Sequence, residues 1–452
     1  MKNKSYIEQP KVALLFSCAA FFLASLPSSN VFAGSLLDSY NSLASKEYQS
    51  EGPSALNSKS LEAKVRVQRS KMGPSLTLSA AEVRRKQDIS ATGNSLIRSG
   101  QATFDNSRRM ATLKQPLFDP QIRGELALAK LEYKGSLQVT EQDEQKQIAD
   151  YFVSYVEASL LQNIVASYQR ALDRLKKEQA AAQEKRNLKL VTVHELDTIK
   201  LHTLRLAKLS RLSLSQYQQT LNYLESFNLS TQPIDMMFMR QDLDSSENFK
   251  LNMTENAIIS DVEANKISNQ IAQLDQTIKN VKSNRWPTVN AIGLYEYDDA
   301  AETIFGGQNT VSNYEVGITF VWELFSGGGT KYKVREANYA KKSRQALLEK
   351  RNQDNRVHLA RMQNSYSQSF QHMKDERSIM SHSKSIKEAI EKGYQAGTES
   401  LLSKIDSIRL HEESIREYEM ARHNALIGYI KLKSFTDGIF EQDARHIDAL
   451  FN

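Results

Sequence analysis

Apolar side chains recur every three or four positions along two very long stretches of the chain, which is the spacing typical of helices. The spacing predicts one helix over about residues 120–186 and another over about 330–392. Each is followed by a break and a shorter predicted helix, at about 193–227 and 401–435. A helix that continues from 120 to 186 would be roughly 100 Å long at 1.5 Å per residue. Few globular domains contain such a helix, so the pattern favours an extended architecture.

Two pairs of strands are predicted where apolar and polar residues alternate. The first pair covers about 74–117, although Arg108 and Arg109 interrupt the alternation of its second strand. The second pair covers about 287–325. Its second strand has the clearest alternation in the chain, with apolar residues at every other position: Tyr314, Val316, Ile318, Phe320, Trp322 and Leu324. Strands of about 10 residues match the length that a tilted strand needs to cross a bilayer.

The same order of elements occurs twice, which indicates an internal duplication. The ends of the two strand pairs are 207 residues apart, and the breaks after the two long helices are 208 apart. We therefore predict a first repeat at 34–230, a connector at 231–250, a second repeat at 251–437 and a C-terminal tail at 438–452. The predicted fold class is mainly α with a small β part, built from a duplicated unit of helix, strand, strand, long helix and helix.

The N-terminal segment has the features of a secretory signal peptide. Three lysines precede an apolar run over 12–26, and small residues follow up to Ala33. A membrane anchor is the alternative, but the run is shorter than the ~20 residues of a spanning helix. We expect residues 1–33 to be removed. The only cysteine, Cys18, lies in this segment, so the mature chain would have none, as suits a bacterial envelope protein.

The charge pattern argues against nucleic acid as a partner. The formal net charge is +6, with 59 basic and 53 acidic residues intermixed along the chain.

After the signal segment no apolar run is long enough for a membrane helix. If the protein enters a membrane, it does so by short strands, and an open four-stranded sheet would leave its edges unsatisfied in lipid. Three chains would supply twelve strands and close a barrel; a soluble sheet with an aromatic core is the other interpretation.

The chain resembles the TolC family of trimeric outer-membrane channel-tunnels over roughly residues 38–452. The resemblance lies in the order and spacing of short motifs in both halves, namely Pro74 before a strand, Gln115-Pro116-Leu117-Phe118-Asp119, Pro287-Thr288-Val289, Leu324-Phe325-Ser326-Gly327-Gly328, Gly393-Tyr394-Gln395-Ala396-Gly397-Thr398 and Asp437-Gly438-Ile439-Phe440-Glu441-Gln442-Asp443. It implies a homotrimer with a 12-stranded β-barrel in outer-membrane lipid, continued by a periplasmic α-helical barrel.

The same resemblance implies a gate at the periplasmic end, where inner helices coil inward. Positions carried over from the Gly397 match are Tyr394, Glu399, Ser403 and Asp406 in the second half, and His194 and Glu195 in the first. Four of these depart from the family: Ser403 replaces an aspartate, Glu399 an arginine, and His194-Glu195 a Thr-Asp pair. Solvent-exposed carboxylates on a helix are the alternative interpretation of Asp406 and Glu195. The helix breaks and strand–helix turns are expected at six positions, namely Gly393, Gly397, Gly327, Gly328, Pro74 and Pro287.

The chain has no motif for catalysis or for a cofactor. No HExxH or P-loop occurs, and no serine lies in a nucleophile elbow, so we expect neither an enzyme nor a metal or cofactor site. The resemblance implies a passive exit duct for proteins or small molecules, which would depend on a periplasmic adaptor and an inner-membrane transporter. The absence of a lipidated cysteine favours an ABC-type transporter over an RND-type one. The alternatives are a soluble periplasmic coiled-coil adaptor or a helical structural protein.

Overall fold

The computed structural model describes residues 35–45, 52–90, 100–227, 229, 239, 243, 261–301, 307–436 and 438–451. The predicted signal peptide and most of the predicted connector lie outside the described residues. The elements follow one another along the chain in this order: α1 Leu36–Leu43, α2 Pro53–Ser70, β1 Ser75–Ile89, β2 Gly100–Phe118, α3 Pro120–Asn187, α4 Val193–Glu225, α5 Val262–Ser283, β3 Thr288–Ala300, β4 Asn309–Val321, α6 Gly329–Gln395, α7 Leu401–Phe435 and α8 Glu441–Asp448.

The two long helices are unbroken, as the sequence predicted. Helix α3 has 68 residues and α6 has 67, so each rises about 100 Å. Asp119 caps the start of α3, where its Oδ1 accepts hydrogen bonds from the N–H groups of Gln121 at 2.9 Å and Ile122 at 3.2 Å. Pro120 suits the first helical position because the missing N–H would be unsatisfied there in any case. Local sequence therefore sets where the long helix begins.

The four strands form one antiparallel sheet in the order β1-β2-β3-β4. Strands β2 and β3 join the two halves of the duplication, with Leu113 opposite Gly293 and Arg109 opposite Tyr297. The outer edges of β1 and β4 have no strand partner among the described residues. The β4 strand ends at Val321, four residues before the predicted end of the pair. Its partner β3 begins at Thr288 because Pro287 has no N–H to donate.

One face of the sheet is apolar and the other mainly polar. Cross-strand register places a set of apolar and aromatic side chains on the same face: Leu76, Leu78, Ala111, Leu113, Val289, Ala291, Tyr295, Tyr314, Val316, Ile318 and Phe320. On the opposite face Arg108 lies between Glu296 and Asp298, at 3.1 Å from each carboxylate. Arg108 therefore follows the alternation, and the irregularity in β2 comes from Arg109, which lies on the apolar face with its guanidinium carbon 6.0 Å from the centroid of the Tyr297 ring.

The helices pack into two apolar clusters. The larger cluster joins α1, α3, α4, α6, α7 and α8, with fully buried Leu36, Phe152, Leu426, Ile430 and Phe451 among its members. The smaller cluster lies at the end where α3 and α6 break, and it consists of Leu175, Ala182, Val191, Leu196, Ile199, Leu401 and Ile405. Of the helices that the structure describes, none is both long and apolar enough to span a membrane.

Candidate functional site at the helix breaks

The breaks after the two long helices have the same backbone geometry. After α6, Gly397 has a φ of 78°, its N–H donates to the carbonyl of Tyr394, and Thr398 N–H donates to the carbonyl of Gly393 at 2.9 Å. This pair of bonds is a Schellman motif, which ends a helix by satisfying its last carbonyls. Gly393 was expected at the break, but it is helical. It contributes the carbonyl that receives the returning chain, and Gly397 is the residue that leaves the helix.

The first half repeats this motif with a lysine in place of the glycine. Lys189 has a φ of 61°, and among the described residues no other non-glycine residue has a positive φ. Its N–H donates to the carbonyl of Arg186, and that of Leu190 to the carbonyl of Lys185, both at 2.9 Å. Lys189 and Gly397 are 208 residues apart, as the duplication predicts. The two helical hairpins therefore turn in the same way.

Two of the predicted gate positions take part in the caps that follow the breaks. Thr192 and Glu195 form a capping box at the start of α4, where Glu195 Oε2 accepts from the N–H of Thr192 at 2.8 Å. That hydrogen bond lowers the pKa of the Glu195 carboxyl, and the Thr192 hydroxyl lowers it further. In the second half Ser400 caps α7 by accepting from Ser403 N–H at 3.0 Å. Glu195 and Ser403 thus occupy equivalent places, 208 residues apart.

The most extensively paired side chain at this end is Lys404, which sequence reasoning missed. It is 8% exposed, and its Nζ lies 2.8 Å from Glu178 Oε1 on α3 and 3.3 Å from Glu391 Oε1 on α6. Burial alone would lower the pKa of Lys404, but the two carboxylates raise it overall. The only signal in the sequence was the position of Lys404, three residues after Leu401 and next to Ile405. Both of these residues belong to the smaller apolar cluster, so the lysine lies at the edge of the buried face of α7.

Tyr394, which the sequence did single out, lies between two lysines. Lys185 Nζ donates to the Tyr394 hydroxyl at 2.7 Å and lies 5.0 Å from the ring centroid, while Lys404 Nζ lies 4.9 Å from it. The ring's quadrupole favours the Lys404 cation, while Lys185 binds the ring at its hydroxyl end. We call Lys185, Glu178, Glu391, Tyr394 and Lys404 the tip cluster. It ties α3, α6 and α7 together beside the breaks.

The other predicted gate residues are exposed. Asp406 is 62% exposed and lies 3.5 Å from Arg409, one turn further along α7. His194 and Glu399 are also exposed. Within this single chain the six predicted residues do not form one constellation: Tyr394 belongs to the tip cluster, Glu195 and Ser403 to the caps, and Asp406, His194 and Glu399 to the surface.

A groove of about 470 Å³ runs beside the tip cluster, between α4 and α7 and over α3. Its floor is apolar, with Leu175, Leu206, Leu209, Ile405 and Ile408, and its rim carries charges of both signs: Arg205, Asp406, Arg409, Glu412, Glu413 and Arg416. His202 also lines it, and burial followed by the charge of Arg409 lowers the pKa of that imidazole. Such an amphipathic groove fits a helix better than a small polar substrate. In the described part of the chain no group of side chains could hold a metal ion.

Comparisons with known proteins agree with this architecture. Residues 263–435 match the family model of the outer membrane efflux proteins. The outer membrane protein TolC of Escherichia coli K12 is 24% identical over 214 residues, an alignment that covers 44% of this chain and 43% of that protein. The chain thus spans less than half the length of this relative.

Solved structures with the same fold include a membrane protein from Pseudomonas aeruginosa, with a TM-score of 0.72 and 16% identity over 91% of this chain and 92% of that one. The outer membrane channel CmeC of Campylobacter jejuni has a TM-score of 0.70 at 12% identity and covers 94% of both chains. The resemblance seen in the sequence is therefore confirmed: residues 263–435 match the family model of the outer membrane efflux proteins, and the chain has the fold of the TolC-like outer-membrane channels.

Proposed function

We propose that the protein is a homotrimeric channel-tunnel of the outer membrane, which serves as the passive exit duct of a tripartite export system. Its strands form the wall of a barrel in outer-membrane lipid, its long helices extend into the periplasm, and its helix-break end is the gate. The observation that carries this proposal is the sheet, because it has an exposed apolar face and two edges that pair with no other described strand.

The apolar face of the sheet suits lipid better than water. Val316 is 94% exposed and Tyr314 76% exposed in the single chain, and both lie on edge strand β4. Tyr295 and Tyr314 pack against each other across the ladder with ring centroids 4.8 Å apart and planes tilted by 37°. Contiguous apolar patches of this kind mark membrane or protein contact sites. The opposite face, with Arg108 paired to Glu296 and Asp298, has the polarity expected of a barrel lumen.

The unpaired edges require further copies of the chain. In hydrocarbon each unsatisfied N–H or C=O costs several kcal/mol, so a stable sheet must close. Pairing β4 of one chain with β1 of the next removes both edges, and three chains of four strands give twelve. Apolar side chains of α4 that are exposed in the single chain, namely Leu201, Leu204, Leu212 and Leu214, would pack against the neighbouring chain in the helical barrel.

The gate in this proposal combines the tip cluster with the acidic positions. Lys404 links α7 to α3 and thereby holds the second helical hairpin against the first. Asp406 lies two residues further along α7 and is exposed, so three copies would bring three carboxylates toward the axis of the tunnel. Their mutual repulsion would be relieved by bound cations, which predicts a cation-preferring pore. Glu195 and His194 are on the neighbouring hairpin, and Glu399 and Ser403 are at the start of α7.

The partners of the channel are inferred from the absence of a nucleotide-binding motif in the sequence and from the position of the groove. No nucleotide-binding motif occurs in the sequence, so energy would come from an inner-membrane transporter, for which the ABC type is favoured and the RND type is the second candidate. The amphipathic groove between α4 and α7 carries Asp406 on its rim and would therefore face the tunnel, which leaves the outer surface of the helices for a periplasmic adaptor. The cargo would be a protein, as in type I secretion, or a small molecule, as in drug efflux.

Cysteine cross-linking between β1 and β4 tests the proposal directly. The predicted mature chain has no cysteine, so introduced pairs are the only thiols. Leu78→Cys on β1 is combined in turn with Val316→Cys, Ile318→Cys and Phe320→Cys on β4. The three pairs test three registers of the contact between β4 of one chain and β1 of the next. One pair should yield covalent trimers in outer-membrane fractions after oxidation.

The matched control is Leu113→Cys with Gly293→Cys, which face each other within one chain and should give only monomers. A protein that fractionates as a soluble monomer, with no cross-link at any register, would contradict the channel and support a soluble periplasmic adaptor or a helical structural protein.

A further inference from the structure

A second cavity, distinct from the groove, lies between α3 and α7 on the side away from the helix breaks. Its volume is about 240 Å³, which is room for several water molecules or for a small ion with its nearest waters. Asn163 and Ser167 line it from α3 and Arg416 from α7, while Met239, between α4 and α5, covers one side. None of its lining residues belongs to the tip cluster.

The lining of this cavity is positively charged. Arg170, Arg416 and Arg422 contribute three guanidinium groups, against the single carboxylate of Glu419. Glu419 is paired with Arg422, whose Nη2 lies 2.7 Å from Glu419 Oε2 and also donates to the carbonyl of Met239 at 2.9 Å. In the described part of the chain no carboxylate lies within ion-pair distance of Arg416. Among the described residues that line it, the cavity therefore has two guanidinium groups more than carboxylates, and these surroundings favour an anion.

Polar atoms at the cavity wall are buried without a hydrogen-bond partner among the described residues. They are Ser167 Oγ, Asn163 Oδ1 and Arg416 Nη1. Ser167 is 2% exposed and Asn163 is 8% exposed. Buried polar groups are nearly always paired in folded proteins, so three such atoms around one cavity point to a ligand that supplies the missing partners.

The three atoms specify what the ligand must offer. Arg416 Nη1 is a donor and calls for an acceptor oxygen, Asn163 Oδ1 is an acceptor and calls for a donor, and the Ser167 hydroxyl can do either. The orientation of the Asn163 amide is fixed, because its Nδ2 donates to Glu419 Oε2 at 3.3 Å. A guanidinium group recognises tetrahedral oxyanions well. At neutral pH hydrogen phosphate carries both acceptor oxygens and one O–H donor, whereas sulfate carries acceptors only.

We propose that this cavity is a binding site for inorganic hydrogen phosphate. Arg416 and Ser167 donate to its oxygens, Asn163 accepts from its hydroxyl, and Arg170 and Arg422 add positive charge. Bound phosphate would link α3 to α7, and it would hold Arg416, which also lines the groove beside the tip cluster. The site rests on the cavity alone and does not depend on the channel function.

Isothermal titration calorimetry of the full-length protein in detergent tests the site. Sodium phosphate is titrated at low ionic strength in a gluconate buffer without chloride, followed by sodium sulfate at matched ionic strength. We expect one saturable phosphate site per chain and binding of sulfate at least tenfold weaker. Ser167→Ala should weaken phosphate binding severalfold. Because the Ser167 hydroxyl bonds to no described protein atom, its removal should leave the fold intact.

Two arginine variants complete the design. Arg416→Gln should weaken phosphate binding at least tenfold, whereas Arg344→Gln, at an exposed arginine of α6, should leave it unchanged. Absence of saturable binding, or equal binding by wild type, Ser167→Ala and Arg416→Gln, would overturn the site. Equal affinity for sulfate and phosphate would overturn the role of Asn163 as the acceptor, and with it the assignment of hydrogen phosphate.

Discussion

Lys189 and Gly397 occupy the same left-handed position in the two halves of the chain, with φ angles of 61° and 78°. Both residues direct a long helix into its shorter partner through the same pair of hydrogen bonds. A glycine adopts this conformation without strain, while a side chain with a Cβ costs about 1 kcal/mol. The first half of the duplication therefore retains a small strain that the second half lacks.

The first prediction follows from this difference. Lys189→Gly should raise the free energy of unfolding by about 0.5–1 kcal/mol, because it relieves the strain while keeping the motif. Urea denaturation followed by circular dichroism is the measurement. The control is Lys200→Gly inside α4, which should lower stability by about 1 kcal/mol. Destabilisation by Lys189→Gly would mean that the lysine side chain contributes more than its backbone strain costs.

The second prediction concerns Lys404. Lys404→Met removes the cation between Glu178 and Glu391, so the two carboxylates face each other without compensation. We expect a loss of about 1–3 kcal/mol in stability, below the range for deeply buried pairs because both glutamates retain access to solvent. In planar bilayers the variant should spend more time in a high-conductance state, since the hairpin at the tip is released.

Two further variants identify the cause. Adding Glu178→Gln to Lys404→Met should restore part of the stability, because one of the facing charges is gone. Lys200→Met, at an exposed lysine that pairs only with Asp197 at 3.3 Å, should change neither stability nor conductance. If both lysine variants behaved like wild type, Lys404 would have no role in holding the gate.

The third prediction concerns Asp406. If Asp406 lines the constriction, Asp406→Asn should reduce cation selectivity and weaken block by multivalent cations in planar bilayers. Asp197→Asn is a closely matched control. The side chains of Asp197 and Asp406 are 61% and 62% exposed, and each pairs with a basic residue three positions further along its helix. Unchanged selectivity in Asp406→Asn would remove this residue from the proposed gate.

The fourth prediction is a pH dependence that arises from His423. This imidazole is fully buried, and its burial, aided by the charge of Arg422, lowers its pKa to about 3. In the unfolded chain the imidazole binds a proton below about pH 6.5, while the folded protein does not until about pH 3. The unfolded state therefore gains protons first, and stability falls as pH is lowered between these values, by at most about 1.4 kcal/mol per pH unit.

The His423 contribution can be separated from that of the carboxylates. His423→Gln keeps a neutral side chain that cannot titrate, so stability should fall less steeply between pH 6.5 and 4 than in the wild type. The exposed His372→Gln variant should follow the wild-type curve. Parallel curves for all three proteins would show that His423 does not govern the acid sensitivity. Urea titrations at fixed pH values provide the measurement.

The sequence by itself determined the elements and their duplication. Periodicity of apolar residues set the length of α3 and α6, and Pro120, Pro287 and Gly397 marked where helices and strands begin or end. These are local signals, because backbone conformation and capping depend on residues within one or two turns. The repeat offset of 208 was readable for the same reason, since equivalent local signals recur in the two halves.

Only the tertiary structure decided which side chains meet. Lys404 contacts Glu178 across 226 positions of sequence, and Arg108 finds its acids on β3 rather than within its own repeat. Glu195, predicted as a gate carboxylate, completes a capping box, which follows from the Thr-x-x-Glu spacing once the helix start is known. Pairing over such distances depends on how long helices and strands lie side by side. Hydrophobic periodicity fixes which face of a helix is buried, but not which charged residue of another helix lies opposite it.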